Sequence, residues 1–176
     1  SGSEEGIRAV YRAVERYGQN ENDLRSFLRS DAQLSVVLIS DEDESANTTK
    51  NDPNNLLSLI NSTWAGQKRF NFNSIITRPG DTACRNTYGA TYGARYNTIS
   101  NLTGGLVGDV CAMDYTAQVT GIADEIRRLL KTLTLSCQPL SQFAIVIKKD
   151  GVNLTTIYTI EGLNIKCATE LDPGNY

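Results

Sequence analysis

Near the start of the chain, Ile7, Val10, Tyr11, Val14 and Tyr17 recur at helical spacing, and Gly18 follows to stop the pattern. Ser3 followed by Glu4 and Glu5 predicts a capped helix with an acidic first turn. The pattern then changes. Leu34 to Ile39 is a compact run rich in β-branched residues, the kind a strand buried on both faces shows, and it predicts a central parallel strand. Asp52-Pro53 reads as an N-cap with proline at the first helical position, and Leu56, Leu57, Ile60 and Trp64 supply the apolar stripe up to Gly66. Phe70 to Ile76 predicts the next strand. A long loop from Thr77 to Thr91 leads to a helix marked by Tyr92, Tyr96, Ile99 and Leu102, and packing is the expected role of the two tyrosines. Leu106 to Val110 predicts a short edge strand. Val119, Ile122, Ile126, Leu129, Leu130 and Leu133 then describe an amphipathic helix with Asp124 and Arg128 at i,i+4.

After Cys137 the apolar period becomes alternating. Gln142 to Lys149, Asp150-Gly151 and Val152 to Ile160 predict a hairpin with a type I′ turn, and Leu163 to Cys167 a further strand. The expected fold class is therefore α/β: a Rossmann-like, open, mostly parallel sheet flanked by helices, with a small antiparallel β appendage. The division is placed at residues 1–136 and 137–176.

Composition narrows the chemistry. The 176 residues contain no histidine, which excludes Ser-His-Asp and Cys-His catalysis and every His-ligated metal within this chain. A formal charge of -3, with basic residues scattered in runs no longer than two, argues against nucleic-acid binding. Apolar runs such as Val36 to Ile39 fall far below the roughly 20 residues of a membrane span. Cys84, Cys111, Cys137 and Cys167 lie far apart with no Cys-x-x-Cys spacing, so zinc is not expected and three disulfide connectivities are open. Chain order favours Cys84 with Cys111 and Cys137 with Cys167, and oxidised cysteines imply an exported protein.

The segment richest in chemistry is Ser40-Asp41-Glu42-Asp43-Glu44-Ser45, directly after the first predicted strand. In open α/β sheets ligands sit beyond the carboxyl ends of the strands, and carboxylate and hydroxyl oxygens suit Mg²⁺ or Ca²⁺. An EF-hand loop beginning at Asp41 is not expected, since the chain has Ala46 and Asp52 where that loop needs Gly and Glu. The string Val-Val-Leu-Ile-Ser-Asp at 36 to 41, preceded by Glu-Glu-Gly-Ile at 4 to 7, resembles the second half of a von Willebrand factor type A domain. The strand at 70 to 76, the Tyr-Gly-Ala-Arg-Tyr and Thr-Gly-Gly segments, the long helix from Ala117 and the β tail are similar in order to exported bacterial members.

This resemblance implies a non-enzymatic interaction or adhesion module with a metal-ion-dependent adhesion site. In the family, an Asp-x-Ser-x-Ser loop, a Thr in a second loop and an Asp after the fourth strand hold a divalent cation, whose open position takes a carboxylate from a protein partner. Asp41 matches the last of these, and Ser1 falls at or near the Thr position. Glu42 stands where the family often has Gly, which makes the rim more acidic. No Asp-x-Ser-x-Ser sequence occurs in the 176 residues. The first strands of such a domain are thus missing, the site is incomplete, and the missing half or another copy is expected to complete the sheet.

An enzyme template competes for the same residues. Asp41, Asp43 and Ser45 are similar to the first motif of haloacid-dehalogenase-type phosphatases, with Asp41 as nucleophile and Asp43 as general acid/base. Phe72 to Thr77, and Gly108-Asp109 with Asp114, resemble later motifs. Between Thr77 and Asp109, however, there is no lysine, only Arg78, Arg85 and Arg95. The more ordinary role for Asp109 and Asp114 is to cap the next helix.

Overall fold

The computed structural model describes residues 4–30, 32–45, 48–88, 91–135, 137, 145–171 and 176. The chain is α/β, with a three-stranded parallel sheet flanked by helices and a small antiparallel sheet, an arrangement compatible with a Rossmann-like sheet. It divides into two compact units, Ser1–Ile122 and Ala123–Tyr176.

The first unit contains α1 (Gly6–Gly18), α2 (Asn22–Phe27), β1 (Leu34–Ser40), α3 (Pro53–Thr63), β2 (Phe70–Ile76), α4 (Thr82–Tyr88), α5 (Ala94–Leu102), β3 (Val107–Asp109) and the start of α6 (Thr116–Leu130). The strand order is β1-β2-β3 and both pairings are parallel. The register runs from Leu34 opposite Phe70 to Ser40 opposite Ile76, and places Ile76 opposite Asp109. All three strands therefore finish together, and the loops after Ser40, Ile76 and Asp109 share one end of the sheet.

Alternation explains the main core. Leu34, Val36 and Leu38 on β1, and Phe72 and Ile76 on β2, join Ile7 and Val14 of α1, Leu56 and Ile60 of α3, and Tyr96 and Ile99 of α5. Fully burying each large apolar side chain is worth about 1.5–3 kcal/mol. The strand buried on both faces is β2, whose residues from Asn71 to Ile76 are all buried. This corrects the expectation for Leu34 to Ile39. Among the described residues β1 is an edge strand, and its other face leaves Val37 50% and Ile39 57% exposed. An apolar run marks a strand that seeks cover on both faces but does not supply the cover.

Local signals worked where partners lie close in sequence. Asp52 Oδ1 accepts from the N–H groups of Asn54 (2.9 Å) and Asn55 (3.0 Å), with Pro53 at the first position of α3, as expected. Helix α1 departs from its expectation. It begins at Gly6, so Glu4 and Glu5 precede it, and Glu5 makes no capping bond with its side chain. The acceptor is Glu44, from the loop after β1, which takes the N–H groups of Ile7 (2.9 Å) and Arg8 (3.2 Å). Ser3 lies outside the described residues. The expected long loop contains α4, and α5 starts at Ala94, which leaves Tyr92 outside the helix.

Gly105, just before β3, is required by its close approach to β2. A Cβ there would stand 1.9 Å from the carbonyl oxygen of Phe72. The backbone can run this close to β2 only without a side chain.

In the second unit, β4 (Thr132–Thr134), β7 (Tyr158–Glu161) and β8 (Asn164–Cys167) form an antiparallel sheet in the order β4-β8-β7. Leu133, expected in the helix, is thus in a strand. A hairpin of β5 (Lys148–Lys149) and β6 (Val152–Asn153) turns through Asp150 (φ 50°) and Gly151 (φ 82°), the left-handed pair that a type I′ turn needs. The strands are much shorter than expected, and residues 142–144 lie outside the described residues. Ile147, Ile165, Cys167 and Leu171 form this unit's core. On α6, Asp124 pairs with Arg127 (3.1 Å) and Glu125 with Arg128 (2.5 Å), both at i,i+3, in place of the expected Asp124–Arg128 pair.

Two substitutions test this account. Glu44→Ala leaves buried donors of α1 without their acceptor and is expected to lower unfolding free energy by about 2–3 kcal/mol in urea titration. Gly105→Ala is expected to cost about 3 kcal/mol by the same measurement, because the clashing atom is backbone.

Candidate functional site

The site is built where β1 ends. Ser40 is buried; its hydroxyl donates to Glu42 O (3.0 Å) and accepts from Glu42 N (3.3 Å), which turns the chain sharply. The loop is held from two sides. Ser45 N donates to Glu4 O (2.7 Å) while Glu4 N donates to Ser45 Oγ (2.7 Å), tying it to the lead-in of α1. On the other side, Thr91 N donates to Asp41 O (3.2 Å), and Asp43 N donates to Thr91 Oγ1 (2.9 Å).

The four consecutive acidic residues do different work. Asp43 Oδ1 accepts from Arg95 N (3.0 Å), at the first turn of α5. Glu44 is buried, and besides the α1 amides it accepts from Asn51 Nδ2 (2.5 Å). Asp41 is exposed and Glu42 half-buried, and among the described residues neither carboxylate makes a hydrogen bond or ion pair. The expected metal ligand Asp41 is thus an available carboxylate at the rim of the sheet. Ser1 lies outside the described residues.

Tyr96 supports the loop from beneath. Its ring is buried and stacks on Phe72 with centroids 6.4 Å apart, in line with the packing role expected for it. Its hydroxyl accepts from Gly6 N (3.2 Å). Burial first, and then the charges of Glu44 and Glu4, push its pKa above the ordinary value, against the opposing bond from Gly6.

Across the same end of the sheet, beyond β2, a second cluster surrounds Asp109. Its Oδ1 accepts from Cys111 N (2.8 Å), and its Oδ2 pairs with Arg78 (3.0 Å), which also reaches Asp81 (3.4 Å). Asp81 Oδ1 accepts from Cys84 N (3.0 Å) at the start of α4, a bond that holds the Asp81 carboxyl below its usual pKa. Cys84 and Cys111 form a disulfide with Cα atoms 5.7 Å apart, the first of the expected pairings. The second is not formed: Cys137 is an exposed thiol and Cys167 is buried. Gln118 on α6 bonds the backbone N–H and carbonyl of Asp109, whose carboxylate goes to Cys111 N and Arg78 and does not cap the helix; Asp114 does, accepting from Thr116 N (2.8 Å). A cavity of about 350 Å³ opens here, with Arg78, Gly108, Asp109, Asp114 and Gln118 among its walls.

Reading the sequence missed Glu44 as a cap and Arg78 as a bridge, because their partners lie 36–37 and 31 residues away. Asp81-x-x-Cys84 carried a usable capping signal. Comparisons of the chain with protein-family models, with curated proteins and with solved structures find no match. None of the described helices is long and apolar enough to cross a membrane.

Tyr96 yields a pH-dependent expectation. A raised folded pKa means that the folded protein keeps the phenolic proton longer than the unfolded chain. The stability due to neutral Tyr96 is complete below the ordinary value of 10.0 and is lost as pH rises above it. Urea midpoints measured from pH 8 to about 11 should fall above pH ~10, and Tyr96→Phe should remove part of that slope while costing about 1 kcal/mol at neutral pH.

Proposed function

We propose that this chain is part of a protein-interaction module of the von Willebrand factor type A kind, with Mg²⁺ or Ca²⁺ held at Asp41 and a carboxylate of a protein partner completing the cation's shell. The observation that carries the reading is the division of labour in the acidic loop. Asp43 and Glu44 are committed to backbone donors, while Asp41 stands exposed at the carboxyl end of a parallel strand without a hydrogen bond or ion pair among the described residues. A hard cation suits such an oxygen, with a hydroxyl such as that of Ser1 as a second ligand.

Two protein ligands bind a hard cation weakly, so further oxygens have to come from chain that adds to the sheet. The open edge of β1, with Val37 and Ile39 exposed, supports such an addition from an upstream segment or another copy. The Cys84–Cys111 disulfide supports an exported protein. The haloacid-dehalogenase reading is less favoured. Asp43 already spends an oxygen on Arg95 N–H, and Asp109 closes β3, which lies on the far side of β2 from Asp41.

The test is calorimetric titration of Mg²⁺ or Ca²⁺ into the protein. Saturable binding is expected, and Asp41→Ala should abolish it while leaving the fold intact by circular dichroism. Undiminished binding by the variant overturns the assignment. Mg²⁺-dependent hydrolysis of a generic phosphoester by the present chain, lost in Asp41→Asn, would instead establish the phosphatase reading.

A further inference from the structure

We propose that Cys84, Cys111 and Asp109 form a zinc site when their disulfide is reduced, so that the covalent link between α4 and the end of β3 can be exchanged for a metal link. The Sγ atoms and an Asp109 carboxylate oxygen lie within 4.8 Å of one another. Thiolate, carboxylate and water are all zinc ligands, and two, one and one of them fill a tetrahedral shell. The linear sequence hides this set, since Cys84 and Cys111 are 27 residues apart and match no zinc-ligand spacing.

Three features of the cluster go beyond proximity. First, the cysteines are positioned independently of the bond between them. Cys84 N–H is anchored on Asp81, Cys111 N–H on Asp109, and Arg78 bridges the two acidic residues. Cleaving the disulfide leaves this frame in place, and the sulfurs need only separate to roughly 3.8 Å to accept zinc at about 2.3 Å from each. Second, Asp109 is oriented as metal-binding carboxylates are, with Cys111 N–H on one oxygen and Arg78 on the other. Third, the charge is largely offset: two thiolates and a carboxylate against Zn²⁺ leave one negative charge, Asp81 adds a second, and the Arg78 guanidinium between the two acidic residues cancels one of them.

The chemistry closes with a dithiol as reductant. It transfers two electrons and two protons, its own sulfurs join, and the Cys84–Cys111 bond opens to two thiols. Zn²⁺ then displaces both thiol protons to solvent.

The test uses the present chain with Cys137→Ser, so that the exposed thiol does not compete. After treatment with a dithiol and its removal without air, Co²⁺ is titrated in as a spectroscopic substitute for zinc. The reduced protein should bind one equivalent with thiolate-to-cobalt charge-transfer absorption, and zinc should displace it. The oxidised protein should show no such band, and Cys84→Ser should abolish it. Arg78→Gln should weaken binding about tenfold, and Asp109→Asn by at least about as much. Zinc should also raise the thermal midpoint of the reduced protein, a readout that holds even if reduction loosens the fold. Absence of the band in the reduced protein, no zinc-dependent rise in its midpoint, or unchanged affinity in Asp109→Asn overturns the proposal.

Discussion

Much of the first unit depends on one carboxylate. Glu44 is buried, and a buried charge is tolerated only when its oxygens are well supplied with donors. The donors come from separate places, the first amides of α1 and the Asn51 amide before α3, while Arg95 of α5 donates to the Glu44 carbonyl. Its negative charge also faces the positive end of the α1 dipole. One residue at the end of β1 thus holds together the helices that cover the sheet, and it can do so only if the strand, the loop and all three helices are already in register.

That constraint shapes the rim of the sheet. The bonds made by Ser40, Thr91 and Ser45 leave the loop little freedom, so the direction of each acidic side chain follows from the fold and not from local preference. Committing Asp43 and Glu44 inward to structure is what leaves Asp41 outward at the strand end. An acidic loop of this composition without internal acceptor work would present four mutually repelling carboxylates. Here two of them accept from backbone amides, whose partial positive charges lie against them.

The opposite flank of the same sheet end is secured by different means. Arg78, Asp81, Asp109 and the Cys84–Cys111 bond join the loop after β2 to the loop after β3, and the Gln118 amide occupies backbone groups of Asp109 on the edge strand. An edge strand of three residues offers little pairing of its own, so its placement rests on these side chains and on the close passage of Gly105 beside Phe72. The open edge of β1 has no comparable device among the described residues, and that asymmetry is why the two flanks support different functional readings.

Much of the architecture was legible along the chain. The stripe of α1, the Asp52-Pro53 start of α3, the strand segments themselves, the amphipathic α6 and the Asp150-Gly151 turn are set by residues a few positions apart, which spacing reveals, whereas the parallel pairing of the strands joins residues far apart in the chain. The place of Asp41 in the fold was legible too, because a residue directly after a strand has to emerge at the strand's end. Tertiary structure alone decided that β2 and not β1 is enclosed on both faces, that Glu44 and not Ser3 supplies the acceptor described at the head of α1, that Cys84 but not Cys137 is bridged, and that Arg78 links two loops. Each of these depends on partners tens of residues away, or on cover that no strand carries within itself. Periodicity reports what a segment needs, and only the packed chain determines which distant group meets that need.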